Sequence, residues 1–567
     1  MEPYLLVAIS VLVLTASISS TVKAGQSPLT SPTDQAALRA CNILVELFPE
    51  LVSFPNDRQY RSQQAQYWAF NQADFAPTCR LSPETPEQVS SLVSQLVALG
   101  DNVQFAITSG GHSTAHGASN LNDGITLDLS ALSSVSVAHD YSYVEVGTGA
   151  RWLDIYQILD PLGLAVSGGR AASVGIGGYL LGGLSPPEPN EITLLTKLPG
   201  SFLAKVILAN GTVVNTSSSS HCNLFSVLKG GSNNFGIATR FRLRTFPLQE
   251  PLHVALLQYS HGHLSRVISA LAVFTQNARL DPSSSAELSV GFDALSSQTV
   301  YVLTLTRVNS GSGSNKKDES PLWEPFLEIP TLETTMFRAG MTEVAEMVEM
   351  NNPYGFRVYK TTLTVHNDPN LLSKITDLFT ANVVHNRTLD TEQHGSDARD
   401  PLFRAGMLLQ PLTLPHLHYS RRQGARNLMG LDDEAEPLML LSFESHHLHP
   451  THDANSVATI TRILAEAETL ARRHGRSSSS STTTTTTSSS TSALLRTDRT
   501  GNGDRDDGAL HPFRYINYAN TGQDVWALLE KKNKGRMMEE ARKVRDAYDP
   551  KGVMATRVKG GFKLREE

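Results

Sequence analysis

TSGGHS at residues 108–113 and GGRAASVGIGGYLLGG at residues 168–183 are the two stretches on which the reading of this chain turns. In the first, paired glycines let the backbone turn tightly and aim successive N–H groups at one point, and Ser109 and Ser113 add hydroxyls. Taken alone it is a glycine-rich turn with an incidental histidine. The second holds seven glycines in sixteen residues, where the chain's 40 in 567 would give about one. Such density predicts main chain packed against a flat ligand, because side chains would stand in the way. It is not a dinucleotide fingerprint: read from Gly175, the third glycine falls at Leu180, so a nicotinamide-type Rossmann site is not supported.

Outward from these stretches the chain reads as mixed helix and strand. Thr85-Pro-Glu-Gln88 supplies an N-cap, a proline and a capping-box glutamine. Val89, Leu92, Val93, Leu96 and Val97 follow at helical spacing, and Gly100 ends the run. Val103, Phe105 and Ile107 alternate as a strand that feeds the first glycine turn. Ile125, Leu127 and Leu129 alternate after the Asn122-Asp123-Gly124 turn, and Val144 and Val146 continue the pattern. From about 250 to 470 longer alternating runs (301–306, 438–443) and a helical period at 458–473 predict a second sheet-plus-helix unit. Ser477 to Ser492 is an unbroken Ser/Thr tract within a polar insertion, 477–508, that cannot offset its ordering entropy by burial. The D-x-T-x-N-G run from Asp498 is not a calcium loop, since its twelfth position is Ala509.

The balance of 48 Lys+Arg against 55 Asp+Glu gives a net charge of −7, which argues against a nucleic-acid partner. Residues 1–24 read as a secretory signal: an apolar run, Leu5–Ala16, too short to span a membrane, then Val22-Lys23-Ala24. The n-region carries Glu2 and no basic residue. Residues 25–35 are a polar linker, and sequons stand at Asn210, Asn215 and Asn386. In an oxidising compartment Cys41 and Cys79 are a plausible disulfide pair, with Cys222 left as a free, partly buried thiol.

Five segments, in order, resemble one family: 108–132 (TSGGHSTAHGASNLNDGITLDLSAL), 146–152 (VGTGARW), 168–183, 224–241 (LFSVLKGGSNNFGIATRF) and 511–520 (HPFRYINYAN). They are similar to FAD-linked oxidases of the vanillyl-alcohol-oxidase and p-cresol-methylhydroxylase superfamily, in its fungal berberine-bridge-enzyme-like branch. The resemblance covers most of 40–250 and 511–565. It implies an α+β, two-domain p-cresol-methylhydroxylase-type fold. The FAD-binding domain takes 36–250 and 505–567, and an inserted antiparallel-sheet-plus-helices substrate domain takes 251–504. It further implies that Ser109, Gly110, Gly111, His112 and Ser113 hold the FAD pyrophosphate and that His112 is joined covalently to the isoalloxazine 8α-methyl. Ala171 stands where many relatives carry a second, cysteinyl link, so only the histidyl bond is expected. Gly175, Gly177 and Gly178 would line the flavin edge, Gly236 and Ile237 the adenine, and Asn517 and Tyr518, on the last strand of the flavin domain, would close over the ring.

The implied function is a secreted, monomeric oxidoreductase. It would oxidise an alcohol-type or secondary-metabolite small molecule by hydride transfer to flavin N5, with O2 as acceptor and neither membrane nor nucleic acid as partner. A base is worth about 10²–10⁴-fold in such a step. Tyr515, sharing a strand face with Asn517 by period two, is the first candidate, and Glu444 the second, against an exposed or ion-paired glutamate. His446, His447, His449 and His452 lack metal-ligand spacing and read as a solvated loop, so no metal is expected. Residues 186–205 (PPEPNEITLLTKLPGSFLAK) depart from the family pattern, through a rebuilt pocket wall or a misread gene. That departure leaves a flavin-binding but catalytically impaired homologue, or a cofactor-free secreted binder, as rival readings.

Overall fold

The computed structural model describes residues 32–183, 201–248, 250–308, 320–394, 403–418, 427–475, 507–531 and 535–564. The expected signal peptide, residues 184–200 of the departing segment, and most of the Ser/Thr insertion lie outside them. Three sheets organise the rest. The first runs Val52–Ser53, Cys79–Leu81, Ile125–Asp128, Phe105–Thr108, Val558–Lys559, with parallel pairing from Cys79–Leu81 onward. Its parallel strands Cys79–Leu81 and Ile125–Asp128 are buried on both faces, as parallel strands require. The helix Pro86–Ala98 covers it. Thr85 Oγ1 accepts from the Gln88 N–H at 3.2 Å, the capping box closes, and Val89, Leu92, Val93 and Leu96 go into the core. A disulfide joins Cys41, on the helix Pro32–Leu47, to Cys79. That helix takes up the end of the expected linker. Cys222 is exposed, not partly buried.

The second sheet is antiparallel: Val135–Val137, Tyr143–Gly147, Ile237–Arg244, Ser201–Ile207, Val213–Thr216. Ser201–Lys205, the end of the departing segment, thus belongs to a strand paired with 240–243, with a register shift between Arg242 and Leu243. Asn210 and Asn215 are exposed; the Asn386 side chain lies outside the description.

The third sheet has eight strands in the order Glu333–Ala339, Leu252–Tyr259, Gln298–Arg307, Ser284–Asp293, Arg404–Leu412, Leu438–His447, Arg357–His366, Leu510–His511. Every pairing is antiparallel. Helices Leu264–Asn277, Pro369–His394 and Asp453–Arg473 pack on it through Leu271, Phe379, Ile460 and Ile463. Leu510 and His511, expected on the flavin side, pair with Val365 and Thr364 here; only at Val558 does the chain return to the first sheet. His446 and His447, read as a solvated loop, are buried on the strand Leu438–His447, because the strand ends only three residues before Pro450. His447 is fixed there by Asp453 at 2.7 Å and Ser456 at 2.9 Å. Among the described residues no helix is long and apolar enough to cross a membrane, and no group of three His, Cys, Asp or Glu could hold a metal ion.

Candidate active site

The two glycine stretches meet. Gly110 and Gly175 pack main chain against main chain, so that a Cβ on either would lie 2.4 Å from the other's Cα, a clash that the backbone cannot relieve. Ser109 seals the contact by donating its hydroxyl to the Thr148 carbonyl at 3.0 Å, which commits the proton expected for a pyrophosphate. Ser113 accepts from the Ala115 N–H at 3.3 Å and keeps its own proton. Gly111 takes φ +65°, against the Tyr67 ring, and its carbonyl accepts from the Trp68 N–H at 3.1 Å. Beneath the loop Arg80 is ion-paired with Asp128 at 2.9 Å, both buried.

A cavity of about 320 Å³ opens beside this contact. Every residue implied for FAD lines it: Ser109 to Ser113, Gly175, Gly177, Gly178, Gly236, Ile237, Asn517 and Tyr518. A Cβ on Gly178 would meet no protein atom within 4 Å, whereas one on Gly182 would collide with the Asn517 amide. The cradle is therefore main chain on one side and open on the other, the shape that a flat ring and a pyrophosphate require. The chain's donors and its bared backbone fit FAD.

Asn517 and Tyr518 lie on a turn, not on a strand. Pro512 follows the strand Leu510–His511 and cannot extend its ladder, and Tyr518 N–H and Ala519 N–H both close back on the Tyr515 carbonyl at 2.9 Å. The period-two face proposed for Tyr515 and Asn517 does not exist. The turn brings them together instead, with Asn517 Nδ2 donating to the Tyr515 hydroxyl at 3.0 Å and to the Tyr179 carbonyl at 3.1 Å. Burial pushes the Tyr515 phenol far above its ordinary range, so it keeps its proton.

Glu444 is ion-paired, not free, and does not line the cavity; Lys360, which does, is 2.8 Å from it. Burial alone would raise the Glu444 carboxyl; the Lys360 ammonium and His446 reverse that and hold it well below the usual carboxylate range. Lys360 also lies over the Tyr518 ring at 4.3 Å. The Tyr518 hydroxyl receives Arg170 Nη2 at 2.8 Å and donates to Gln410 Oε1 at 3.2 Å, and Arg170 is ion-paired with buried Glu287.

His112 has neighbours that the sequence reading did not name. Trp68 stacks on it with centroids 4.2 Å apart and planes 8° off parallel. Its Nε2 is 3.1 Å from Ser173 Oγ, which donates to Glu349 Oε2 at 2.7 Å. Burial, then Arg151 and Lys360, hold the imidazole down to about 3, so it is neutral. Arg170 and Ser173 lie within residues 168–183, whereas Trp68, Glu349, Lys360 and Gln410 come from separate segments with no shared motif.

The FAD binding domain family matches residues 77–217. The FAD-dependent monooxygenase tpcD of Cochliobolus heterostrophus is 30% identical over 563 residues, covering 97% of each chain. The FAD-dependent monooxygenase FUP4 of Fusarium proliferatum is 29% identical over 512 residues, 88% of this chain and 87% of that one. Among solved structures, the xylooligosaccharide oxidase of Myceliophthora thermophila C1 superposes with a TM-score of 0.63 at 17% identity, covering 93% of this chain and 99% of that one. BBE-like 1 of Physcomitrella patens gives 0.63 at 14%, covering 94% and 99%. These structures share the p-cresol-methylhydroxylase-type fold. With the glycine cradle, the cavity and these likenesses together, the chain belongs to the FAD-linked oxidoreductases of the vanillyl-alcohol-oxidase and p-cresol-methylhydroxylase superfamily, alongside fungal FAD-dependent monooxygenases, and FAD is its cofactor.

Proposed function

We propose that the protein is a secreted, monomeric oxidase of small hydroxylated molecules, alcohols or secondary metabolites, with FAD carried covalently on His112 and O2 as the electron acceptor. The observation that carries this reading is that one cavity is lined both by the glycine cradle and, from the eight-stranded sheet and the 515–518 turn, by Lys360, Gln410 and Tyr518. FAD, when bound, supplies the two-electron acceptor at N5 and the route of those electrons to O2.

The chain's own part is proton handling and orientation. The Tyr518 hydroxyl is held between the Arg170 donor and the Gln410 acceptor. To take a proton from a substrate hydroxyl it must first give up its own, and two cations, Arg170 and Lys360, lie beside the phenolate that this leaves. Tyr515 keeps its own proton and positions Asn517. Glu444 remains charged behind Lys360 and holds that ammonium on the Tyr518 ring. The disulfide at Cys41–Cys79 and the exposed sequons at Asn210 and Asn215 support export.

A second reading, insertion of an oxygen atom, is favoured by the names of the relatives tpcD and FUP4. Turnover under 18O2 separates the two. The oxidase reading expects unlabelled product and one H2O2 per substrate, and label in the product would overturn it. Acid precipitation should leave the yellow colour with the wild-type chain and free it from His112→Ala. Flavin that stays with His112→Ala would overturn the attachment.

A further inference from the structure

The neighbours of His112 form a directed chain of hydrogen bonds. Ser173 gives Glu349 Oε2 both its hydroxyl, at 2.7 Å, and its backbone N–H, at 3.1 Å. With its hydroxyl proton committed to a carboxylate, Ser173 Oγ can meet His112 Nε2 only as an acceptor. Neutral His112 therefore carries its proton on Nε2, which leaves Nδ1 without one. Glu349 Oε1 is buried and has no hydrogen-bond partner.

The fold builds this chain on purpose-positioned elements. Glu349 stands in the last turn of the helix Met341–Met350. The N-terminus of that helix is anchored by Asp160, whose carboxylate accepts from the Met341 N–H at 3.3 Å and the Thr342 N–H at 2.8 Å. Arg151, the N-cap of the helix Trp152–Leu159, donates to the Ser173 carbonyl and to the Tyr354 hydroxyl at 3.0 Å, and so fixes the serine from its other side. Trp68 fixes the plane of the imidazole.

We propose that Glu349, acting through Ser173, accepts the imidazole proton when FAD becomes attached to His112. This rests on the covalent reading given above. Attachment forms one bond, His112 Nδ1 to the 8α carbon, and breaks two, the imidazole Nε2–H and one methyl C–H. The Nε2 proton passes to Ser173 Oγ while the serine's own proton passes to Glu349. The two electrons of the C–H bond enter the ring system, and O2 takes them. Both protons end in one H2O2. Without an acceptor at Nε2 the joined imidazole would be left cationic, and the same burial and the same Arg151 and Lys360 charges that keep it neutral oppose that form.

The test follows acid-stable flavin over time in the full-length chain, expressed under riboflavin limitation and then given FAD in aerated buffer. Glu349→Gln and Ser173→Ala should still bind FAD but attach it about a hundredfold more slowly at neutral pH, the low end of proton-transfer assistance. Glu349→Asp should recover most of the rate. The deficit of Glu349→Gln should shrink as the pH is raised and hydroxide replaces the carboxylate. The other charged and titratable groups around His112 and Ser173 (Arg151, Lys360, Glu444 and Tyr354) are unchanged in these variants. Attachment by Glu349→Gln at the wild-type rate and with the wild-type pH profile would overturn the relay. Should Glu349→Gln not fold, Ser173→Ala, which leaves the carboxylate in place, carries the same expectation and the same refutation. His112→Ala runs alongside: acid-stable flavin in that variant overturns the covalent reading itself, while its absence there with normal rates in the relay variants overturns the relay alone.

Discussion

The two walls of the cavity are made by opposite means. On the cradle side, Gly110, Gly175, Gly177, Gly178 and Gly182 shape the wall by having no side chains. On the sheet side, Lys360, Gln410 and the partners behind them shape it by charge and hydrogen bonding. The first wall is a steric object, shaped by packing and sensitive to a single methyl group. The second is an electrostatic one, tolerant of shape and sensitive to the loss of one partner.

The cradle should break most completely. In Gly110→Ala the new methyl meets the Gly175 backbone, which has no rotamer through which to yield. We expect a loss of about 3 kcal/mol of stability, the upper part of the overpacking range, together with loss of bound FAD. Urea unfolding and the visible spectrum of the purified variant measure both. A yellow Gly110→Ala of wild-type stability would mean that the two stretches do not touch.

The sheet side should yield by less, and reversibly. Lys360 and Glu444 are directly opposed on the neighbouring strands 357–366 and 438–447, with Gly406 on Glu444's other side leaving room for the carboxylate. Lys360→Met leaves that carboxylate with His446 alone. Both side chains keep some exposure, 17% and 19%, so the cost should fall near or below about 3 kcal/mol, the lower limit for a fully buried pair. Adding Glu444→Gln should restore most of it. A double variant as unstable as the sum of the single ones would show that the pair is not coupled.

This contrast also explains what could be read from the sequence. Glycine density survives in one dimension, so a bared main-chain cradle was legible in residues 168–183, whereas FAD and a role for His112 were implied only by the resemblance of five segments in order. The helix Pro86–Ala98 was legible as well, because its capping residues are local. The Lys360–Glu444 pair was not, because its register depends on strands separated by the long connections 367–403 and 413–437. Trp68 and Glu349 reach His112 from 44 residues before it and 237 after it, distances at which no spacing rule operates. Tyr515 and Asn517 show the subtler failure. Alternation suggested a strand, but Pro512 ended the ladder, and a turn produced the contact by another route.

Acid should separate the two walls by their onset. In the flavin-free folded chain His112 is held neutral down to about 3, whereas in the unfolded chain its titration is expected near ~6.5. Between those values the unfolded state binds more protons, so stability is full above about pH 6.5 and declines as the pH falls toward 3. The ceiling is about 1.4 kcal/mol per pH unit, and the slope should be shallower because His112 as a whole residue is half-buried rather than buried. Glu444 adds a later loss. Its folded value lies below the unfolded one, so its contribution is complete above about pH 4.3 and fails only beneath it. His112→Ala should therefore flatten the decline between about pH 6 and pH 4.5 and leave the steep acid limb. Glu444→Gln should do the reverse. Urea midpoints of the flavin-free variants across this range decide it, and a decline that His112→Ala leaves unchanged would mean that the imidazole is already solvated in the folded chain.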